Sequence, residues 1–371
     1  MYLGRFGIVI IIIISRYNNY TMISLPKKHK VVVFDVDETL GNFAQFSIFG
    51  HVLEDYFNDP NIMYRHFNDL VDLYPEIIRP NMVRILDYIR KKKNDGICSK
   101  VMIYTNNTAP DKWVSHIRQY FENKLRHTAS TTSKGSGSDK GLAIIPPLFD
   151  HIIGGFKPSS SSSSSSSYPH RTTSEKTIDD LIHCSRLPAN IEVCFLDDLN
   201  HPKMIDECVY YIKLQPYYSY IPFETFVIRF LNSALFRTVF DKIELPSRVP
   251  SMSALVKKEI LSIEIQNLFM KYVNLAKFDA KSNQKKLNPR EIDEIISKYI
   301  LFHLQQFFRD GPPSLTHNTN SVAKQRARRV AKTMKKKGAS SIQQHHPENN
   351  VFHVNKATAI KNMHNKTIHK R

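Results

Sequence analysis

Short runs of apolar, mostly β-branched residues recur through the first two thirds of the chain. The most regular of these runs end in acidic or hydroxyl side chains. Such runs are typical of strands buried in a parallel sheet, whose carboxyl ends carry the polar residues of a ligand site. The predicted strands lie at 31–34, 101–105, 148–153, 191–198 and 209–214.

Segments with helical periodicity separate several of these strands. Apolar residues at helical spacing predict a helix between Pro80 and Gly96. A second helix begins at Thr108, which can cap it, and places Trp113 on its apolar face toward the core. A third covers 177–184. The alternation of strand and helix predicts an α/β fold, a doubly wound parallel sheet with helices on both faces.

The region 27–220 is predicted to form one α/β domain with three insertions. Residues 41–78, after the first strand, form a small helical insertion at the strand edge. Whether this insertion closes over the edge as a cap stays open. Residues 128–140 are rich in Ser, Thr and Gly, and 158–172 contain nine consecutive serines. Such sequences cannot bury apolar surface, so both are predicted to be disordered loops.

Three further regions complete the chain. Residues 221–310 are predicted to be a C-terminal helical extension that either packs on the sheet or forms a separate appendage. Its helices are expected at 222–240, 254–276 and 290–308. Residues 1–26 form an N-terminal extension outside the fold, and 311–371 form a disordered basic tail.

The charge of the protein is concentrated in this tail. The chain of 371 residues has a formal net charge of +18, and residues 316–371 hold 13 Lys and Arg against one acid, Glu348. A hydrophobic fraction of 42% excludes a wholly disordered protein. The basic segment 324–337 predicts contact with nucleic-acid phosphates, a nuclear import signal, or simply a solvated chain. Aromatic residues that would stack on bases are absent from it.

Cysteine spacing and hydropathy indicate in which cellular compartment the protein is expected. The four cysteines show no CxxC or zinc-ligand spacing, which indicates buried, reduced thiols in a cytoplasmic or nuclear protein. These are Cys98, Cys184, Cys194 and Cys208. The apolar run 8–14 is far shorter than the about 20 residues that span a bilayer. No membrane segment is therefore expected.

Acidic, hydroxyl and lysine side chains lie where three predicted strands end. Asp35 and Asp37 follow the first strand, and in an extended chain their side chains point to the same side. One carboxylate could attack phosphorus while the other handles protons. Asp197 and Asp198 end another strand and are suitable Mg²⁺ ligands. The alternative interpretation is that these are ordinary surface acids at strand ends.

A phosphoryl-transfer site also needs positive charge and hydrogen-bond donors. Thr105 ends a third strand and offers its hydroxyl and the following N–H groups, beginning with Asn106. Lys176 precedes the helix that leads to the Asp197 strand and could supply a fixed positive charge, with Lys157 as its rival. The sequence thus predicts one crevice at the carboxyl edge of the sheet.

These four motifs, in this order, resemble those of the haloacid dehalogenase superfamily of phosphohydrolases. The motifs are hhhhDxDxT at 31–39, hhhhT at 101–105, Lys176 and hhhhDD at 193–198. Glu38 and the Arg79-Pro80 pair are most similar to phosphatases of the RNA polymerase II C-terminal domain, although that group usually carries Asp-Asn in the fourth motif. The layout also resembles uncharacterised members encoded by large DNA viruses.

The resemblance implies a Rossmann-like catalytic domain, an aspartyl-phosphate intermediate and Mg²⁺. It implies Asp35 as nucleophile and Asp37 as general acid and base. It implies that Thr105, Asn106 and Lys176 bind phosphate. The implied magnesium ligands are Asp35, the Asp37 carbonyl, Asp198 and Asp197, the last of these nearby or through water.

Several functions remain open from the sequence. The leading expectation is a phosphoserine or phosphothreonine protein phosphatase. The alternatives are a phosphatase for small metabolites, nucleotides or nucleic-acid ends, and a phosphate-binding scaffold whose tail binds nucleic acid. Asp179 and Asp180 resemble the paired acids but are expected to serve only the helix start, and His201 is expected to be structural rather than part of the site rim.

Overall fold

Parallel strands form a single sheet in the computed structural model, which describes residues 28–108, 110–132, 146–157, 169–240, 254–312 and 351–354. The strands are β1 (His29–Phe34), β2 (Cys98–Tyr104), β3 (His151–Ile153), β4 (Ile191–Asp197), β5 (Val209–Leu214) and β6 (Val351–Val354). Their order is β3-β2-β1-β4-β5-β6, and every neighbouring pair is parallel. This confirms an α/β fold with a parallel sheet. The chain order reverses between β1 and β4, which is where ligands bind in open sheets of this type.

Helices connect the strands and extend beyond them. They are α1 (Ala44–Tyr56), α2 (Ile62–Arg65), α3 (Phe67–Leu73), α4 (Met82–Asn94), α5 (Ser115–Thr132), α6 (Ile178–Ser185), α7 (Phe223–Asn232), α8 (Ala254–Leu275), α9 (Ala280–Lys286) and α10 (Arg290–Asp310). A π-helical turn, Pro110–Val114, leads into α5. Within the described residues, no helix combines the length and the apolar character needed to span a membrane.

The two faces of the sheet bury different sets of side chains because successive residues of a strand point to opposite sides. On one face, Val32 and Phe34 of β1 join an apolar core with α1, α4, α5, α8 and α10. On the other face, Val31 and Val33 pack with α6. Trp113 lies in the first core, in ring contact with Phe46 at 6.1 Å, as the sequence predicts. Helices therefore cover both faces.

The insertion 41–78 and the helical extension share that first core. Phe49 of α1 packs against Phe269 of α8, with ring centroids 5.5 Å apart. Tyr56 Oη donates a hydrogen bond to Glu264 Oε2 at 2.7 Å. The extension thus packs on the α/β domain through the insertion, and the appendage alternative is wrong.

Several predicted elements differ from those of the structure. Helix α5 continues to Thr132 where the loop 128–140 was expected; the Thr128 hydroxyl donates to Lys124 O at 2.9 Å and so remains compatible with the helix. The loop predicted over 158–172 ends earlier, since Arg171 is buried. Helix α9 was not predicted.

Other predictions fall on parts of the chain that the structure leaves undescribed. The N-terminal extension up to residue 27, the segments 133–145 and 158–168, and most of the tail lie outside the described residues. The tail nevertheless contributes β6, which pairs with β5 in the register Tyr211 to Val351. A wholly disordered tail is therefore wrong at that strand.

Candidate active site

The loop after β1 carries the first pair of acids and is shaped by backbone contacts. Strand β1 ends at Phe34, and the Asp35 N–H still donates to Leu196 O at 2.9 Å, which keeps Asp35 at the tip of the sheet. The chain then turns through Glu38, whose φ of 55° is left-handed. The Glu38 N–H donates to Gly41 O at 2.8 Å and closes the turn.

Gly41 is required in this turn because the main chain at Ile77 passes close to it. A Cβ added there would lie 2.4 Å from Ile77 O, which is far inside van der Waals contact. Gly41 also forms backbone bridges with Asp37 and Ile78. The beginning and the end of the insertion are therefore joined directly beside the acids.

Lys176 connects two strand tips through its ammonium group. Its Nζ lies 2.6 Å from Asp35 Oδ1 and 2.7 Å from Asp197 Oδ2, and the side chain is only 2% exposed. The next residue, Thr177, is the N-cap of α6, so the helix start fixes the lysine in place. The structure thus places Lys176 at the acids, whereas Lys157 is exposed.

Three carboxylates lie close enough together to bind one ion. Oxygens of Asp35, Asp197 and Asp198 all lie within 4.8 Å of one another, and all three residues are buried. The Thr39 hydroxyl donates to Asp198 Oδ1 at 3.2 Å, and the Leu199 N–H donates to Asp197 Oδ1 at 2.8 Å. These contacts orient the acids toward a common point.

The electrostatics of the cluster favour a bound cation. Burial raises the pKa of Asp35 to about 6, with Lys176 opposing the shift and the charge of Asp197 adding to it. Burial and repulsion from its acidic neighbours raise the pKa of Asp198 to about 7, and that of Glu38 to about 7 as well. One lysine therefore does not balance these acids. Hard carboxylate oxygens around one point are the ligands that Mg²⁺ prefers, so the residues fit the predicted metal.

The carboxyl group of Asp37 is not one of the three. It accepts a hydrogen bond from the Asn107 side chain, which opposes the rise in its pKa caused by burial. Asp37 is half-buried, so part of this residue remains exposed to solvent. The prediction that its carbonyl binds the metal stays a prediction.

Thr105 and Asn106 lie at the tip of β2, the strand adjacent to β1. The Thr105 N–H donates to Ile153 O at 3.0 Å, and its hydroxyl accepts from the Asn107 N–H at 3.1 Å. Thr105 is 1% exposed, whereas Asn106 is exposed. The structure thus places both residues at the same edge of the sheet as the acids, and their binding of phosphate stays a prediction.

Arg79 supports the acidic loop from beneath and is 1% exposed. Its Nε donates to Thr39 O at 2.7 Å, and its Nη2 donates to Glu38 O at 2.6 Å and to Gln215 O at 2.9 Å. Burial lowers the pKa of the guanidinium to about 10, against the attraction of nearby acids. In the sequence, the Arg79-Pro80 pair marks a helix start and resembles a feature of known phosphatases; its contacts in the structure give Arg79 a structural role.

His201 lies nearer to the acids than expected. Its Nε2 is 3.2 Å from Asp197 Oδ2. Burial acts to raise the pKa of Asp197, but the proximity of His201 and Lys176 outweighs that effect and the pKa lies below its usual range. The main-chain N–H of His201 also donates to the Tyr211 hydroxyl at 3.2 Å. His201 thus touches the site and is also held structurally.

Sequence reasoning missed one buried cation at this edge and misjudged one acid. Arg171, in the segment expected to be disordered, donates to Asn106 Oδ1 at 2.9 Å. Asp180, expected only to serve a helix start, accepts hydrogen bonds from Thr172 and Thr173. The only sequence signal was the proximity of these residues to Lys176, with Arg171 before it and Asp180 after it.

Comparisons of this chain with protein-family models, with curated proteins and with solved structures gave no match. The functional conclusion therefore rests on the geometry of the site itself. That geometry consists of three buried carboxylates and one buried lysine at the point where the strand order reverses, with the loop that begins at Thr105 beside them.

Proposed function

We propose that the protein is a Mg²⁺-dependent phosphohydrolase that forms an aspartyl-phosphate intermediate on Asp35. The observation that carries this proposal is the cluster of Asp35, Asp197 and Asp198 within 4.8 Å, paired with buried Lys176. The resemblance of the four motifs to the haloacid dehalogenase superfamily supports the same chemistry. Buried carboxyl groups whose pKa values are shifted by burial, by one another and by a buried lysine are candidates for a functional site.

In the first step, an oxygen of Asp35 attacks the phosphorus of a phosphomonoester. Lys176 contacts Asp35 Oδ1, so the other oxygen, Oδ2, is assigned as the attacking atom. The bond between phosphorus and the leaving oxygen breaks, and Asp37 protonates that oxygen. Lys176 and the donors at Thr105 and Asn106 hold the charge of the phosphoryl group.

In the second step, water releases the phosphate. Asp37, now a carboxylate, accepts a proton from the water, whose oxygen attacks phosphorus. The bond between phosphorus and Asp35 breaks, which regenerates the carboxylate and releases inorganic phosphate. The different contacts of the two acids support this division of roles, since Asp35 pairs with Lys176 and Asp37 with Asn107.

Asp35 and Asp198 would hold the magnesium ion, with Asp197 beside them and the Asp37 carbonyl implied by the resemblance. Both oxygens of Asp197 already accept contacts, from Lys176 and from the Leu199 N–H. Asp198 is therefore the better placed direct ligand. When bound, the ion neutralises the repulsion between the Asp35 carboxylate and the phosphate.

We propose phosphoserine or phosphothreonine protein as the substrate. The insertion 41–78 buries its apolar residues in a core that it shares with the helical extension, which supports a fixed element rather than a closing lid. Small substrates usually need a lid that excludes water, whereas a phosphoprotein can itself cover the site. The basic tail favours a second candidate, the phosphate at the end of a nucleic acid.

The test is release of phosphate from p-nitrophenyl phosphate by the full chain, with Mg²⁺ and with EDTA. Asp35→Asn keeps the shape of the side chain but removes the nucleophile, and Asp179→Asn, an exposed acid nearby, is the matched control. We expect turnover that requires both Mg²⁺ and Asp35 and is unchanged in Asp179→Asn. Mass spectrometry after acid quench should find the phosphoryl group on Asp35.

Equal background rates in folded wild type and Asp35→Asn would overturn the enzyme proposal. Phosphopeptide binding without turnover would then favour a phosphate-binding scaffold. If turnover is found, phosphopeptides, small phosphorylated metabolites and phosphorylated oligonucleotides should be compared at low and high salt. Steep loss of oligonucleotide turnover with salt would favour the nucleic-acid substrate over the phosphoprotein.

A further inference from the structure

Residues 171–176 form an ordered strap along the carboxyl edge of the sheet. At one end, Lys176 contacts the acids of β1 and β4. At the other end, Arg171 contacts the loop that follows β2. The strap therefore connects the lysine of the proposed site with the proposed phosphate-binding loop.

The guanidinium of Arg171 donates hydrogen bonds to acceptors in that loop and in the strap. Its Nη1 donates to Thr105 O at 3.2 Å and to Asn106 Oδ1 at 2.9 Å, and its Nη2 donates to Ser174 O at 2.8 Å. Its Cζ lies 4.9 Å from the centre of the Tyr104 ring. Arg171 is 6% exposed and its bond to Thr105 O is buried, so at least this contact forms away from bulk water and is stronger than a surface contact.

Asp180 fixes the strap behind Arg171. Its Oδ1 accepts from the N–H and the hydroxyl of Thr172, at 3.0 and 2.8 Å, and its Oδ2 accepts from the N–H of Thr173 at 3.2 Å. Tyr104 adds a second tie, since its hydroxyl accepts from the Thr177 N–H at 3.0 Å. The direction of Arg171 is thus set by α6 and β2 together.

We propose that Arg171 is a positioning residue for phosphate binding: it holds the Thr105–Asn107 loop against the strap that carries Lys176. This inference rests on the proposed function and deepens it. A planar guanidinium can reach two separate loops at once, whereas a lysine at the same place offers only a compact point charge. The role of Arg171 should therefore depend on its shape and not only on its charge.

The experiment compares Arg171→Lys and Arg171→Ala with matched changes at Arg90. Arg90 is also a buried arginine that donates to a carbonyl, Leu125 O at 2.8 Å, but it lies on α4, where it contacts α5 and pairs with Asp87 and with none of the acids of the proposed site. For each full-length protein, kcat and KM for p-nitrophenyl phosphate, the affinity for inorganic phosphate with Mg²⁺, and the unfolding midpoint are measured. Added guanidinium tests rescue of the alanine variants.

We expect Arg171→Lys to lower kcat/KM by about 10²-fold, the effect of displacing reacting groups by about 1 Å. Phosphate affinity should fall with it, while the unfolding midpoint changes no more than in Arg90→Lys. Guanidinium should restore part of the activity of Arg171→Ala and none to Arg90→Ala. A purely structural role would instead lower the midpoint and leave kcat and KM of the folded protein unchanged.

The outcomes separate this inference from the proposed function. An active wild type whose kinetics and phosphate affinity are unchanged in Arg171→Lys would overturn the positioning role alone. A wild type that binds phosphate with Mg²⁺ but releases none would overturn the hydrolase, and the affinities of the variants would still decide the role of Arg171. A wild type that neither binds nor hydrolyses would overturn both.

Discussion

Replacing Arg79 by Met removes the support of the acidic loop, and its effect can be worked out from the contacts. The guanidinium makes three hydrogen bonds to main-chain carbonyls, at 2.7, 2.6 and 2.9 Å. Hydrogen bonds from a charged group contribute about 1.5–3 kcal/mol each, or roughly 5–9 kcal/mol together. Removing a buried charge also removes its desolvation penalty of several kcal/mol. We therefore expect a net loss of about 3 kcal/mol, a large part of the roughly 5–15 kcal/mol that stabilises a domain.

Urea unfolding of wild type and Arg79→Met measures this difference, with Arg84→Met as the control. Arg84 lies on the same helix, α4, but its side chain is exposed. We expect the control to change the free energy of unfolding by less than about 0.5 kcal/mol, as is usual at the surface. Activity of the folded Arg79→Met protein should also fall, because the turn that directs Asp35 and Asp37 loses its anchor.

Equal unfolding free energies for the two variants would refute the reasoning. That result would mean that the three carbonyls find other partners or water when the guanidinium is absent. Loss of stability with unchanged kcat/KM would refute only the claim that the loop geometry depends on Arg79.

Four further predictions follow from single features of the structure. In thermal unfolding, Mg²⁺ should stabilise the wild type by about 2.7 kcal/mol at a concentration of 100 Kd, and Asp198→Asn should lose this effect; an unshifted wild type would contradict the metal site. Thr177→Ala removes the cap of α6 and should cost about 1 kcal/mol in urea unfolding; no change would contradict the cap. Gly41→Ala forces a Cβ against Ile77 O and should cost about 1–3 kcal/mol in the same assay, and an unaltered midpoint would show that the turn relaxes freely. Burial raises the pKa of every cysteine thiol, so alkylation should be slow in the native protein and fast in urea; rapid native labelling would contradict their burial. The cysteines are Cys98, Cys184, Cys194 and Cys208.

The strands and the acids could be predicted from sequence because both depend on local patterns. Strand β5 has the predicted bounds, 209–214, and Thr177 caps α6 as its residue type indicates. Asp35 and Asp198 meet because parallel strands bring their carboxyl ends to one edge, a rule that needs no knowledge of side-chain contacts. Lys176 could be chosen over Lys157 for a similar reason, its place in chain order before the Asp197 strand.

The fixed, buried position of Arg171 could not be predicted, because the contacts that hold this side chain come from residues distant in sequence. A serine-rich segment cannot bury apolar surface and therefore predicts disorder up to its end. The ring of Tyr104 and the hydrogen bonds to Thr105 and Asn106 hold Arg171 in place, and Asp180 ties down Thr172 next to it. Composition describes the segment and says nothing of these partners.

Strand β6 also depends on a distant partner that the local composition does not reveal. Residues 351–354 lie in a tail whose charge predicts a solvated chain. The available edge of β5 decides the pairing, since an unpaired strand edge offers a row of hydrogen-bonding groups to any extended segment. A four-residue strand at 351–354 therefore could not be distinguished from the tail around it.

The helical extension supports the loop of the proposed site and does not only cover the surface of the domain. Gln215, whose carbonyl accepts from Arg79, donates from its side chain to Asn288 Oδ1 at 3.2 Å. Asn288 in turn donates to Asp293 Oδ1 at 3.0 Å at the start of α10. The Ser297 hydroxyl of the same helix donates to Pro80 O at 2.5 Å, next to Arg79. The loop that carries the proposed nucleophile is thus supported by Arg79, and Arg79 is enclosed by the extension, so a boundary at residue 220 divides one structural unit.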